Sequence, residues 1–352
     1  MKHRLLLLFL LGIAATLFGC ASDAASAGNR SGLPPGEDSL AGRCQALTPA
    51  LEKKILALDP EHVSERDLRE VLANAPAPRI FMIQGGLLPV QIAMKSFSKF
   101  IIGMGYPEWS ARDPVDGAYS CSSFRDAAKI TGLIAGSYER DGLRPMLLGH
   151  SLGGMQTVKV LQLLAGESAA PLVVWNPLTE KPEARHEIRD PLTARARALT
   201  NLQVSYAVVL AAGGLGRIIP HQWSMNGRLR KIPDSVEEFT GFYIHLDFFG
   251  GDYLGYGPAN LFRPSGVARV RNVQLPTGRN HWTVPVTENL LQSQADKDWI
   301  NNFSPDTAAS SDPVFTDNAH ILWAAEVWHG IKRHWVLELQ TLIRAKHIPH
   351  DP

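Results

Sequence analysis

The sequence predicts an α/β fold in which a mostly parallel central sheet carries helices on both faces. Short apolar runs end at glycine or at Asn-Pro, and segments with apolar residues at helical spacing separate them. With 352 residues, 45% of them hydrophobic and 20% charged, the chain can bury a large core. A formal net charge of +1 provides no overall field that would attract nucleic acid, so no nucleic-acid partner is expected.

The first twenty residues have the pattern of an export signal. A basic start at Lys2–Arg4 precedes an apolar stretch, residues 5–18, of the length of a signal-peptide core and too short for a membrane span. The sequence Leu17-Phe18-Gly19-Cys20 resembles a bacterial lipobox, although Phe18 is unusual at its position. We expect residues 1–19 to be a lipoprotein signal peptide and Cys20 to carry the lipid. A secretory signal cut after Ala25-Ser26-Ala27 and an uncleaved anchor are the alternatives.

All three alternatives export the protein. Residues 20–47 are rich in Ala, Ser, Gly and Pro and read as a flexible tether. The residue after Cys20 is Ala21, whereas lipoproteins that are retained in the inner membrane have an aspartate at that position. A lipid anchor at the periplasmic face of the outer membrane is therefore expected, and a secreted or periplasmic protein is the alternative. In an oxidising compartment Cys44 and Cys121 are expected to form a disulfide, or else to be two buried thiols. No His or Cys cluster has zinc-like spacing, so no metal is expected.

The folded domain is expected to span residues 48–352. The predicted strand at 79–83 ends in Gln84-Gly85-Gly86, where backbone N–H groups can turn outward. In chain order, the elements predicted up to residue 141 are helices from Thr48-Pro49 and from Ser64, the strand at 79–83, a helix at 91–100 and a helix that Ser122 or Ser123 caps.

The segment from Pro145 to Gln156 has the pattern of strand, sharp turn and helix. The apolar run Met146–Leu148 stops at Gly149-His150-Ser151-Leu152-Gly153-Gly154, and apolar residues at helical spacing follow. A turn this tight requires small residues around the serine and places its hydroxyl at the sheet edge. A glycine turn with a capping serine is the plainer alternative.

The later elements are less regular. The run at 172–175 is predicted to be another strand, and residues 178–240, with a charged helical piece at 183–200, to be an insertion that covers the functional edge of the sheet. Glycines around Gly213 lack the strand–turn–helix setting of a dinucleotide site, so no cofactor is expected. The remaining elements predicted are strands at 242–246 and 269–275 and a helix from Ala319 to Lys346.

The Gly-His-Ser-Leu-Gly-Gly turn in this setting resembles the α/β-hydrolase superfamily, specifically its serine esterases and lipases, over roughly residue 80 to the C-terminus. The resemblance implies that Ser151 is a nucleophile and that an acid and a histidine follow in that order. His281 follows the strand at 269–275, where this fold places its base, and His320 is the competitor. Asp252, after Gly250-Gly251, is the preferred acid and Asp247 the next.

The oxyanion that forms on a carbonyl needs two N–H donors. Leu152 supplies one at a helix N-terminus, and the resemblance implies that Gly86 supplies the other, with Gln84 in place of the family's usual histidine.

The implied function is hydrolysis of carboxylic esters through an acyl-enzyme, without metal or cofactor. An apolar inner face of the insertion, with Leu210, Ile218, Ile219 and Trp223, favours a lipid or acyl ester. Thioester hydrolysis or acyl transfer by the same triad is the first alternative, and a non-catalytic envelope lipoprotein the second. The oligomeric state stays open.

Overall fold

A parallel sheet of five strands lies at the centre of the fold. The computed structural model describes residues 47–168, 170–212, 223, 227–252, 261–276, 278–305 and 318–347. In the described ranges the strands are β1 (Ile80–Ile83), β2 (Met146–His150), β3 (Trp175–Asn176), β4 (Lys181–Pro182), β5 (Glu187–Arg189), β6 (Ala196–Ala198), β7 (Val204–Leu210), β8 (Lys231–Ile232), β9 (Val236–Ile244), β10 (Arg263–Pro264) and β11 (Arg269–Leu275). The order across the central sheet is β1-β2-β7-β9-β11.

Helices surround the sheet. Within the described ranges the α-helices are α1 (Pro49–Leu56), α2 (Glu65–Glu70), α3 (Leu88–Gly103), α4 (Glu108–Ala111), α5 (Ala127–Asp141), α6 (Leu152–Leu164), α7 (Gln294–Asn302) and α8 (Ala319–Lys346). Short 3-10 helices lie at Pro60–His62, Leu72–Asn74 and Glu288–Gln292. None of these helices is both long and apolar enough to cross a membrane.

Neighbouring strands of the central sheet are all parallel, so their carboxyl ends lie at one edge. Met146 pairs with Ile80 on one side and with Tyr206 on the other. Side chains alternate between two buried clusters: Met146 belongs to the cluster on one face of the sheet, and Leu147 to the cluster on the other. Helices α3 and α8 contribute to the first cluster, α5 and α6 to the second. The predicted α/β class with a parallel sheet is therefore confirmed.

Local hydrogen bonds define two of the predicted helix starts. The Thr48 hydroxyl accepts a bond from Leu51 N at 3.3 Å, and Ser64 forms a capping box with Asp67. The cap predicted at Ser122 or Ser123 is wrong, because α5 begins later and Asp126 caps it by accepting from Ala128 N at 2.9 Å.

The segment 172–200 differs from its prediction. Leu172 and Val174 are buried, yet residues 171–174 lie outside the sheet, and Val174 N donates to Arg185 O at 3.1 Å. A Cβ at Gly132 of α5 would collide with Val173 O, so this segment packs on a helix. The charged piece at 183–200 is not a helix but contains the antiparallel pair β5 and β6.

The single insertion predicted at 178–240 is also wrong as a continuous unit. The apolar run Val204–Leu210 is a buried strand in the middle of the central sheet, and β9 begins at Val236. Leu210, assigned to a lid face, is therefore a core residue. Ile218 and Ile219 lie outside the described residues, and Trp223 is 59% exposed.

Several predictions fall on residues that the structure does not describe. These are the signal peptide at 1–19, the lipidated Cys20, the tether up to residue 46 and Cys44. Cys121 itself is buried beside the end of β1 and has no disulfide partner among the described residues. Burial raises the pKa of this thiol to about 12, against the opposing charge of Arg125. Its pairing with Cys44 stays a prediction.

Candidate active site

Ser151 lies at the turn between β2 and α6 in a strained backbone conformation. Its φ of 55° and ψ of −120° fall in a region that residues other than glycine rarely adopt. Ser151 N donates to Leu210 O at 2.9 Å, which fixes the turn to the end of the neighbouring strand β7. The strand–turn–helix geometry predicted from Gly149 to Gly154 is therefore present, with the serine at its apex.

The glycines of this turn are required by close packing. A Cβ at Gly149 would collide with Thr157 Oγ1, and one at Gly153 would lie 2.6 Å from Gln84 O and closer still to Ile83 O. A Cβ at Gly154 would lie 2.5 Å from the Ala212 methyl group. The turn can therefore sit this tightly between β1 and β7 only with glycine at these positions.

His281 and Asp247 form a buried pair at the same edge of the sheet. His281 Nδ1 lies 2.8 Å from Asp247 Oδ2, and both side chains are almost fully buried. Asp247 follows the end of β9. His281 lies in a turn after β11, and this turn is closed by a hydrogen bond of 3.0 Å from Thr283 N to Asn280 O. Serine, acid and histidine therefore follow three strands whose carboxyl ends share one edge.

Asp252, the acid preferred from the sequence, is not the carboxylate on His281. Its Oδ2 accepts a hydrogen bond from Leu246 N at 2.9 Å and lies 3.8 Å from His245 Nδ1. Leu246 has a φ of 57°, so the Asp252 carboxylate holds a strained turn in place. Asp247, the second choice, takes the place that Asp252 was expected to fill.

The sequence predicts that Gly250-Gly251 marks the loop whose acid is Asp252. In the structure Gly250 instead accommodates Asp247. A Cβ at Gly250 would collide with Asp247 Oδ2 and lie 2.9 Å from its Cγ, so glycine makes room for the carboxylate that precedes it. The N–H groups of Gly251 and Asp252 both donate to Asp247 O at 2.9 Å, which folds the segment back on itself.

Aromatic rings enclose the imidazole of His281. Its ring centroid lies 4.9 Å from that of His150, 5.7 Å from that of Phe249 and 5.0 Å from that of Trp282. Because His150 directly precedes Ser151, the His150 contact places His281 beside the turn. His320, the competing base, lies at the start of α8 with its Nε2 3.5 Å from Arg279 Nη2.

The loop after β1 lies against the serine turn. A Cβ at Gly85 would be 3.2 Å from Ser151 Cβ, and one at Gly86 would be 3.0 Å from Leu152 Cδ2. Gln84 supports the loop, since its Oε1 accepts from Ser120 Oγ at 2.8 Å and its N–H donates to Cys121 O at 3.0 Å. Gly86 and Leu152, the two predicted donors, are therefore brought together, and Leu152 is the first residue of the 13-residue helix α6.

Two features of this site were missed from the sequence. The packing of His150 and Phe249 on His281 depends on long-range contacts that local patterns do not show.

The arrangement offers a serine, an oriented histidine and a helix N-terminus, a set suited to nucleophilic chemistry. In the ranges that the structure describes, no group of three or more His, Cys, Asp or Glu residues could hold a metal ion.

Comparison with known proteins gives no match: neither a family model, nor a curated protein, nor a solved structure is similar to this chain at a significant level.

Proposed function

We propose that this protein is a serine hydrolase of the α/β-hydrolase type that cleaves carboxylic esters through an acyl-enzyme. The observation that carries the proposal is the strained Ser151, at φ 55°, on the same sheet edge as the buried His281–Asp247 pair. A serine alone is a weak nucleophile, and a histidine oriented by a carboxylate is the usual means of activating it.

In the proposed mechanism Ser151 attacks the ester carbonyl and His281 accepts its proton through Nε2. Asp247, bonded to Nδ1, holds the imidazole in the required tautomer and stabilises the imidazolium that forms. The N–H groups of Leu152 and Gly86 stabilise the oxyanion of the tetrahedral intermediate. The protonated His281 gives its proton to the leaving alcohol, and water then attacks the acyl-enzyme with His281 again as base. The bond between Ser151 Oγ and the acyl carbon breaks, His281 returns the proton to Ser151, and the carboxylic acid leaves.

Exposed apolar side chains around this edge favour a substrate with a long acyl chain. Leu88 is 66% and Ile92 60% exposed, and both lie on α3, which begins two residues after Gly86. The Phe124 ring would lie 3.5 Å from a Cβ at Gly86, and Phe248 follows Asp247; both are more than half exposed. Apolar side chains at a site entrance gain free energy when an acyl chain covers them.

The direct test is labelling of the purified protein by a fluorophosphonate probe, with the modified residue identified by peptide mapping. We expect stoichiometric modification of Ser151 and no modification of Ser151→Ala, because the probe reacts with an activated serine. Thermal unfolding of both proteins serves as the control for folding. A wild-type protein that folds normally and is not labelled would disprove the proposal.

The substrate class is tested with a double variant, Leu88→Ser and Ile92→Ser. Loss of two exposed apolar contacts is expected to lower kcat/KM for palmitate esters about tenfold while leaving acetate esters within twofold, since only a long chain reaches these side chains. Val267→Ser is the matched control: Val267 is 86% exposed but lies before β11, at the opposite edge of the sheet. Equal loss on both esters, or no preference of the wild type for long chains, would contradict the acyl-chain assignment.

A further inference from the structure

His150 is a buried polar side chain that the proposed mechanism does not use. It is the last residue of β2, directly before Ser151, and its side chain is fully buried. In the part of the chain that the structure describes, neither ring nitrogen makes a hydrogen bond of normal geometry. A buried polar group without a partner lowers stability, because it has lost its hydrogen bonds to water and gained none in the protein. An apolar residue at this position would avoid that cost.

The ring of His150 packs on the ring of His281. The two centroids lie 4.9 Å apart with the ring planes tilted by 39°. Burial lowers the pKa of His150 well below its usual range, the charge that His281 can carry lowers it further, and the His281 backbone raises it in part. His150 is therefore a neutral imidazole, in which one nitrogen bears a proton and the other a lone pair.

A positive charge forms next to this ring during the proposed reaction. When His281 takes the serine proton it becomes an imidazolium in a nearly water-free place, bonded to Asp247 on one side and enclosed by His150, Phe249 and Trp282 on the others. Phe249 and Trp282 hold the ring but offer no lone pair. His150 does offer one: the His281 backbone can engage one ring nitrogen, outside normal hydrogen-bond geometry, and the other nitrogen has no hydrogen-bond partner among the described residues.

We propose that His150 is a positioning residue for His281, holding the imidazole in its plane and presenting an unpaired ring nitrogen to the positive charge that forms on it. This inference rests on the proposed function, because it assigns His281 as the base. His150 acts through His281 and does not touch the substrate. Among the residues that the structure describes, the titratable groups in contact with the His281 ring are Asp247, from the loop after β9, and His150 itself.

Two variants separate electrostatics from packing. His150→Leu has a similar volume and no polar atom, so it removes the unsatisfied nitrogens together with the lone pair. We expect it to be at least as stable as the wild type and to lower kcat/KM about tenfold, through kcat, with KM within about twofold. His150→Gln keeps an acceptor and is expected to recover most of the lost kcat. Met146→Leu, on the same face of the same strand, is the control for buried substitutions in β2 and is expected to behave as the wild type.

The pH profile gives a readout that packing alone would not move. The acid limb of kcat/KM reports protonation of the base in the free enzyme. If His150 stabilises the positive charge on His281, the acid limb of His150→Leu moves to lower pH, whereas that of His150→Gln stays near the wild type.

The outcomes are distinguishable from failure of the proposed function. If wild-type Ser151 is not labelled by the fluorophosphonate, both proposals fail. If the wild type is labelled and His150→Leu matches it in labelling rate and in acid limb, only the role of His150 is overturned. It is also overturned if His150→Leu and His150→Gln lose activity equally, with lower melting temperatures and an unmoved limb, because that result describes packing only.

Discussion

Asp247→Asn is expected to lower kcat for ester hydrolysis by about 10³–10⁴ while leaving the fold intact. Asp247 Oδ2 lies 2.8 Å from His281 Nδ1, at a place where both side chains are nearly inaccessible to water. An amide keeps the shape of the carboxylate but can donate to Nδ1. It therefore stabilises the tautomer whose proton is on Nε2, the nitrogen that must accept the serine proton. It also removes the negative charge that stabilises the imidazolium.

Asp252→Asn is the matched variant, since it makes the same chemical change five residues later in the same turn. The amide oxygen can still accept from Leu246 N, the bond that Asp252 makes in the structure at 2.9 Å. We expect kcat to fall less than tenfold and the melting temperature to fall by about 2–4 °C, as one charge-assisted hydrogen bond weakens. Steady-state kinetics on one soluble ester and thermal unfolding of both variants suffice. A larger loss of kcat for Asp252→Asn than for Asp247→Asn would reverse the assignment of the acid.

The ambiguity between these two carboxylates shows where sequence patterns stop. Both follow the strand that ends at Ile244, so both lie at the edge of the sheet where the carboxyl ends of the strands meet. What separates them is the direction of each side chain, which depends on a turn with Leu246 at positive φ and on the space left at Gly250. A glycine in the sequence indicates that room is needed, but it does not indicate which neighbouring side chain uses the room.

The serine turn was predictable for the opposite reason. Its strand, its glycines and its helix lie within nineteen consecutive residues, Met146–Leu164, so local periodicity and sterics specify it almost completely. The long helix α8 and the strand Arg269–Leu275 were also found at their predicted bounds.

The run Val204–Leu210 was missed as a strand for a reason of context. All seven of its residues are buried, as expected for a central parallel strand, but a largely apolar run without alternation does not distinguish a strand from a lid. Conversely, the run at 172–175 has the composition of a strand and packs on α5 instead, because the place beside β2 is taken by β7. Such competition for a place in the sheet is decided by the whole fold.

Gly153→Ala is expected to disable the site through the backbone, with the catalytic side chains unchanged. The added methyl group would collide with Ile83 O and lie 2.6 Å from Gln84 O, and both contacts are with backbone that cannot rotate away. Overpacking of this kind lowers the free energy of unfolding by about 1–3 kcal/mol, and the better helix propensity of alanine offsets at most about 1 kcal/mol of this loss. The melting temperature should therefore fall by about 2–4 °C.

The loss of activity should be larger than this loss of stability implies. The strand end that must move, Ile83-Gln84, leads directly into Gly85 and Gly86, and Gly86 is the proposed partner of Leu152 in binding the oxyanion. A shift of this donor relative to Ser151 weakens stabilisation of the tetrahedral intermediate, and loss of one such donor costs about 10²–10³ in rate. Fluorophosphonate labelling of the folded variant, well below its melting temperature, should slow by at least about tenfold.

Gly136→Ala is the control for a methyl group added to a buried helix. Gly136 lies in α5, where the new Cβ would be 3.4 Å from Trp175 O, an ordinary contact. This variant should match or slightly exceed the stability of the wild type, because alanine favours the helix by about 0.5–1 kcal/mol, and it should label at the wild-type rate. If Gly153→Ala also labels at the wild-type rate, then the end of β1 does not position an oxyanion donor, and the second N–H must come from elsewhere than Gly86.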